Sequence, residues 1–149
     1  KTFTQKVDWK DLDFIIVDMP PGTGDTQLTF AQEIKIDGII IISTPQELAL
    51  QDVKRGISMF DKLKVNIIGL VDNMSYFIGD DGKRYSIFGD GGVKKTAEEF
   101  NKNFLGEIPI NSDIGKFGDQ GTPIVEKFPD HEISKIYTDF ANKLKLKFS

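Results

Sequence analysis

The chain has 149 residues, 39% hydrophobic and 28% charged, with twelve Phe and no Cys; this is the composition of one globular domain, and it excludes long disorder, disulfides and thiolate metal ligands from this chain. A formal charge of −4, with no stripe of Lys and Arg, argues against a nucleic-acid partner. The longest pure apolar run, Ile39 to Ile42, is far short of the roughly 20 residues of a membrane span, and the amino end has no signal-peptide core, so a cytoplasmic protein without membrane insertion is expected.

Four apolar, β-branched runs recur along the chain at Phe14 to Val17, Ile39 to Ser43, Asn66 to Val71 and Phe104 to Ile108. Each is apolar on both faces, as a strand covered by helices on both sides must be, and helical patterns separate most of them. The fold class expected is therefore α/β, a mostly parallel sheet flanked by helices. Between the first two runs Asp25 can cap a helix reaching Ala31 and Gln32. Between the second and third, Leu48, Leu50, Val53, Ile57, Phe60 and Leu63 make a helical stripe that Pro45 opens. Tyr76 to Phe88 alternates loosely around Asp81-Gly82, which predicts a two-stranded hairpin. From His131 onward, Ile133, Ile136, Tyr137, Phe140 and Leu144 give a terminal helix.

The richest segment is Asp13-Phe14-Ile15-Ile16-Val17-Asp18-Met19-Pro20-Pro21-Gly22-Thr23-Gly24-Asp25. A buried strand would deliver Asp18 to its carboxyl end, where open α/β sheets place their ligands. A carboxylate there suits Mg2+, which takes one or two acid ligands together with phosphate oxygens and water. Pro20 and Pro21 end the ladder, and Gly22 and Gly24 let backbone approach a phosphate or a partner. The same pattern also serves as a plain strand end followed by a turn.

This segment resembles the Walker B and switch II region of the Mrp/ApbC family, ATP-binding iron-sulfur cluster carriers related to MinD and ParA. The resemblance continues in order through Ser43-Thr44-Pro45-Gln46, Asp72-Asn73-Met74-Ser75, Ile87-Phe88-Gly89 with Gly91-Gly92, and Gly121-Thr122-Pro123-Ile124-Val125. It implies a MinD-like, doubly wound P-loop fold of which residues 1–149 are the carboxyl-terminal part of one domain, because no Gly-Lys-Gly-Gly-Val-Gly-Lys-Ser loop occurs here. It also implies ATP and Mg2+ as cofactors, Asp18 as the catalytic and Mg2+-linked acid, and Gly22, Thr23 and Gly24 near the terminal phosphate. Asn73 would read the adenine edge, using one acceptor and two donors, with Pro109 near the base. The intact protein would be a homodimeric ATPase serving apo iron-sulfur clients, and this fragment alone would be inactive.

Many relatives carry Cys-Pro-x-Cys just after Asn-Met-Ser, whereas this chain reads Phe77-Ile78-Gly79-Asp80-Asp81-Gly82-Lys83. A cluster needs soft thiolates, so none is expected on these residues. The alternative function is a non-enzymatic adaptor or scaffold of the same fold. A phospho-acceptor receiver fails, because Glu107-Ile108-Pro109 stands where such a domain needs a Lys. His131 reads as a helix cap, Asp80, Asp81 and Asp90 as solvated loop charge, and Lys143, Lys145 and Lys147 as the end of a packed helix.

Overall fold

A computed structural model describes residues 7–20 and 24–148. In chain order the elements are α1 (Asp25–Glu33), β1 (Ile39–Ser43), α2 (Glu47–Lys62), β2 (Ile67–Asn73), β3 (Phe77–Ile78), β4 (Arg84–Tyr85), α3 (Gly92–Glu99), β5 (Phe104–Ile108), α4 (Ser112–Asp119), α5 (Ile124–Lys127) and α6 (Glu132–Phe148). Strands β1, β2 and β5 form a parallel sheet in the order β1-β2-β5, and β3 and β4 form a separate antiparallel hairpin. Helices cover both faces of the sheet, as the doubly apolar strands require.

On one face Leu50, Val53 and Ile57 of α2 and Val93 and Ala97 of α3 pack against Ile67 and Leu70 of β2. On the other, Ile114 of α4 and Ile136, Tyr137 and Phe140 of α6 pack against Val71, Leu105 and Ile108. Gly106 has φ +145, and a Cβ there would lie 2.8 Å from the Phe140 ring, so the bare backbone is what lets α6 sit flat on β5.

The two register shifts in the sheet pass over Ile68 and Leu105. Their carbonyls find side chains instead. Lys147 Nζ and Asn103 Nδ2 donate to Ile68 O at 3.0 and 2.9 Å, and Lys143 Nζ donates to Leu105 O at 3.0 Å. The lysine-rich end of α6 is thus a packed helix whose cations complete the sheet's hydrogen bonding. His131 Nδ1 accepts from Ile133 N–H at 3.2 Å and caps α6 as expected.

One expectation fails. Phe14 to Val17 is not a strand and not buried: Phe14 is 49% and Ile16 92% exposed, and no described strand pairs with it. Phe14 meets Phe148 of α6 edge-on at 6.3 Å between ring centroids. A parallel strand exists only through a neighbour's N–H and C=O groups. The outer side of β1, where Ile42 is 61% exposed, pairs with no described strand either. Helix α1 also departs in detail, because Gly24 and not Asp25 occupies the N-cap position, with no side-chain cap bond.

Candidate functional site

Parallel strands end together, so the carboxyl ends of β1, β2 and β5 bring Ser43, Asn73 and Ile108-Pro109 to one edge of the sheet. Asn73 is half-buried at the last position of β2 and lies across the ladder from Ile108; Pro109, buried, follows at once. Met74 then takes a left-handed conformation, φ +55, just past the strand. Ser75 fastens that turn, its N–H and hydroxyl donating to Ile108 O at 3.0 and 3.3 Å. Asn-Met-Ser therefore acts as a unit: the turn fixes the strand end, and Asn73 stands at the rim with an amide able to give and take hydrogen bonds together.

The facing loops are built with similar closeness. Gly89 has φ +119 and lies against Pro45 O, while a Cβ on Gly92 would come within 2.9 Å of the same carbonyl and 2.7 Å of Leu50. The Thr-Pro-Gln and Phe-Gly-x-Gly-Gly segments thus meet at Pro45, two residues past the end of β1.

Asp18 is exposed and stands outside the sheet, after the unpaired run. No hydrogen bond or ion pair joins it to another described residue, so Asn73 and Pro109 are brought together and Asp18 is not bound to them. Gly22 and Thr23 lie outside the described residues; Gly24 is exposed at the start of α1, and Gln27, buried, donates to the Pro20 carbonyl from that helix. The free carboxylate of Asp18 fits a hard cation that draws its remaining ligands from phosphate and water. No described cluster of three or more His, Cys, Asp or Glu could hold a metal unaided. With no Cys in the chain, an iron-sulfur cluster does not fit the residues present.

A polar row on the α2/α3 face of the same edge escaped the sequence reading. Ser43, Asp72 and Glu107 are register partners across the three strands. Asp72 is fully buried, and neither carboxylate oxygen has a hydrogen-bond partner. Burial, with Glu107 beside it, raises its pKa to about 6, which nearby Arg84 opposes. Arg84 makes a two-pronged bond to Glu107, Nη1 to Oε2 at 2.9 Å and Nη2 to Oε1 at 2.8 Å. Its guanidinium also stacks 4.0 Å from the centroid of the Tyr76 ring. The only sequence signal for Asp72 is its two-residue spacing from Leu70, which puts it on an inward face.

At the hairpin tip, Asp81 accepts from Lys83 N–H at 3.0 Å and from the Tyr85 hydroxyl at 2.8 Å. These bonds, that from the Lys83 backbone foremost, lower its pKa. Asp80 and Asp81 serve an exposed turn, as expected.

Residues 1–145 match the family model described as ParA: NUBPL iron-transfer P-loop NTPase. A Synechocystis relative called iron-sulfur cluster carrier protein is 42% identical over 151 aligned positions, covering 100% of this chain and 43% of the relative. The chain thus spans less than half of that relative's length. Among solved structures, a nucleotide-binding protein from Archaeoglobus fulgidus in complex with ADP superposes with a TM-score of 0.72 at 41% identity, over 80% of this chain and 50% of that one. The cell-division ATPase MinD of Pyrococcus furiosus shares the fold, with a TM-score of 0.69 at 20% identity over 92% of this chain and 53% of its own.

Proposed function

The chain belongs to the NUBPL iron-transfer P-loop NTPases of the ParA family, and we propose that it is the base-binding, carboxyl-terminal part of an ATPase that carries iron-sulfur cargo. The observation that carries this reading is Asn73, fixed at the sheet rim by the Met74 turn and the Ser75 bonds, with buried Pro109 beside it. In that position the amide pairs with the adenine ring nitrogen and exocyclic amine, and the flat face of Pro109 borders the base. The ADP held by the Archaeoglobus fulgidus protein, similar over 80% of this chain, supports a nucleotide as ligand.

Asp18 would hold Mg2+, and the segment from Gly22 to Asp25 would follow the terminal phosphate. Bound Mg2+ supplies neutralisation of phosphate charge, and the part of this chain is to place the ion and the base. The cradle that grips the phosphates is not among these residues. Iron-sulfur clusters and their apoprotein clients are cargo in this reading, held by thiolates that this chain does not contribute. A homodimer working in the cytoplasm is the assembly proposed; among the described residues no helix is long and apolar enough to cross a membrane.

Replacing Asn73 by Ala in the whole protein should weaken ATP binding by about 10- to 100-fold, as loss of a paired polar contact does, and reduce preference for ATP over GTP. Equilibrium titration with both nucleotides checks this. Unchanged affinity and preference would reject Asn73 as the base reader.

A further inference from the structure

We propose that Asp72, Glu107 and Arg84 form a proton-operated latch that holds the β3–β4 hairpin onto the carboxyl end of the sheet. The hairpin has only two residues in each strand, and Phe77, Ile78 and Tyr85 are all exposed, so little apolar burial fixes it. Arg84 is its anchor. Both Nη groups are committed to Glu107 on β5, and the guanidinium is stacked on Tyr76 at the hairpin's root.

Asp72 sits across the ladder from Glu107, completely buried, with both oxygens unpartnered. Protonated, it is neutral, and the row holds one acid against one guanidinium, which is balanced. Ionised, it sets a second carboxylate beside Glu107, and the Arg84 cation that the hairpin brings is the group that offsets the pair. Each group facing Asp72 can be named. From β1 comes uncharged Ser43, from β5 Glu107, from β4 Arg84, and from the loop before α3 Asp90, a third acid. The faces of α2 and α3 toward the sheet carry Leu50, Val53, Ile57, Val93, Thr96 and Ala97; Lys94, Lys95, Glu98 and Glu99 are exposed on the outside. No second cation stands by to balance an ionised Asp72 among these groups, so Arg84 is held in its docked place more firmly as the proton leaves.

The latch is tightened above about pH 6 and loosened below it, because docked Arg84 lowers the Asp72 pKa and the ionised carboxylate must in turn favour the docked hairpin. It concerns the hairpin alone and stands or fails independently of which ligand the rim binds.

Amide hydrogen exchange in the whole protein, corrected for the intrinsic effect of pH, reads the latch at Gly79 N–H, which donates to Lys83 O at 2.9 Å, and at the ladder between Ile78 and Arg84. Protection there should rise by about tenfold between pH 5 and pH 7.5, while Leu70 in the core strand keeps its protection. Asp72→Asn should hold the lower, pH 5 level of hairpin protection at both pH values, and Arg84→Gln low protection at both. A wild-type hairpin equally protected at pH 5 and 7.5 would overturn the latch. So would an Asp72→Asn or Arg84→Gln protein that keeps the wild-type pH dependence. The two variants alter the row from opposite sides, so the loss of one to misfolding leaves the other decisive.

Discussion

Asp18→Asn in the whole protein should lower Mg2+-dependent ATP turnover by about a hundredfold or more, in line with the cost of removing one charge-stabilising group from a transition state. Asn keeps the size and one oxygen of Asp and removes only the charge, so the loss would report on the ion and not on packing. Asp18 is exposed and has no described partner, so the substitution should leave the unfolding free energy unchanged within about 0.5 kcal/mol. Steady-state hydrolysis across a Mg2+ titration, with a denaturation curve alongside, separates the two effects. Turnover equal to wild type would reject Asp18 as the magnesium ligand and leave the family and fold untouched.

Asp72→Asn should act in the opposite sense and stabilise the protein. The folded state holds the Asp72 proton to about pH 6, against an ordinary value of 3.8. Below about pH 4 the carboxyl is neutral in folded and unfolded chains alike, and burial of its charge costs nothing. Between these values the folded state binds the proton more tightly, so stability falls as pH rises. Above about pH 6 the full cost is present, on the order of 3 kcal/mol at 1.36 kcal/mol per pKa unit. Asn carries no charge at any pH, so the variant should exceed wild type by up to that amount at pH 7.5 and match it near pH 4. Urea unfolding of both proteins at the two pH values gives the comparison. Equal stability at pH 7.5 would mean that Asp72 is not a buried charge there.

A buried, unpartnered carboxyl costs stability, and residues that do so concentrate where a fold does its work. Asp72 lies next to Asn73 in sequence and on the opposite face of β2, so the strand end that presents the rim amide also carries the titrating group. The hairpin and the rim therefore share one support, the ends of β2 and β5.

The sequence was most legible where one element's own residues decide its form. The stripe from Leu48 to Leu63 appears as α2, Glu47–Lys62, because Leu50, Val53, Ile57 and Phe60 at helical spacing have one face to bury, while Leu48 stays exposed. Strands β1 and β5 match their apolar runs residue for residue. Helices α3, α4 and α5 were not foreseen. Gly92 and two lysines open α3, Gly115 and Gly118 dilute α4, and α5 has four residues, so none shows a strong period. Phe14 to Val17 has the composition of a strand, yet pairing is a property of two chains of hydrogen-bonding groups, and none of the described strands supplies the second.

Within the site, Asn73 and Pro109 were legible through motif order, and the sheet accounts for their nearness because parallel strands finish at one edge. The Arg84–Glu107 pair was not. The two residues are 23 positions apart and belong to different sheets, and only the folded hairpin brings them together. Asp72 was noted as part of a motif, but an acid at the end of an apolar run reads as solvent-facing, and its full burial exists only in the folded chain.

A crystal structure of the whole protein with Mg2+ and ADP is the direct measurement of where the nucleotide goes. The expected result is an adenine edge hydrogen-bonded to the Asn73 amide, with Pro109 against the base and the ion beside Asp18. Adenine bound away from the carboxyl ends of β2 and β5, with Asn73 facing solvent, would contradict the assignment of this rim as the nucleotide site.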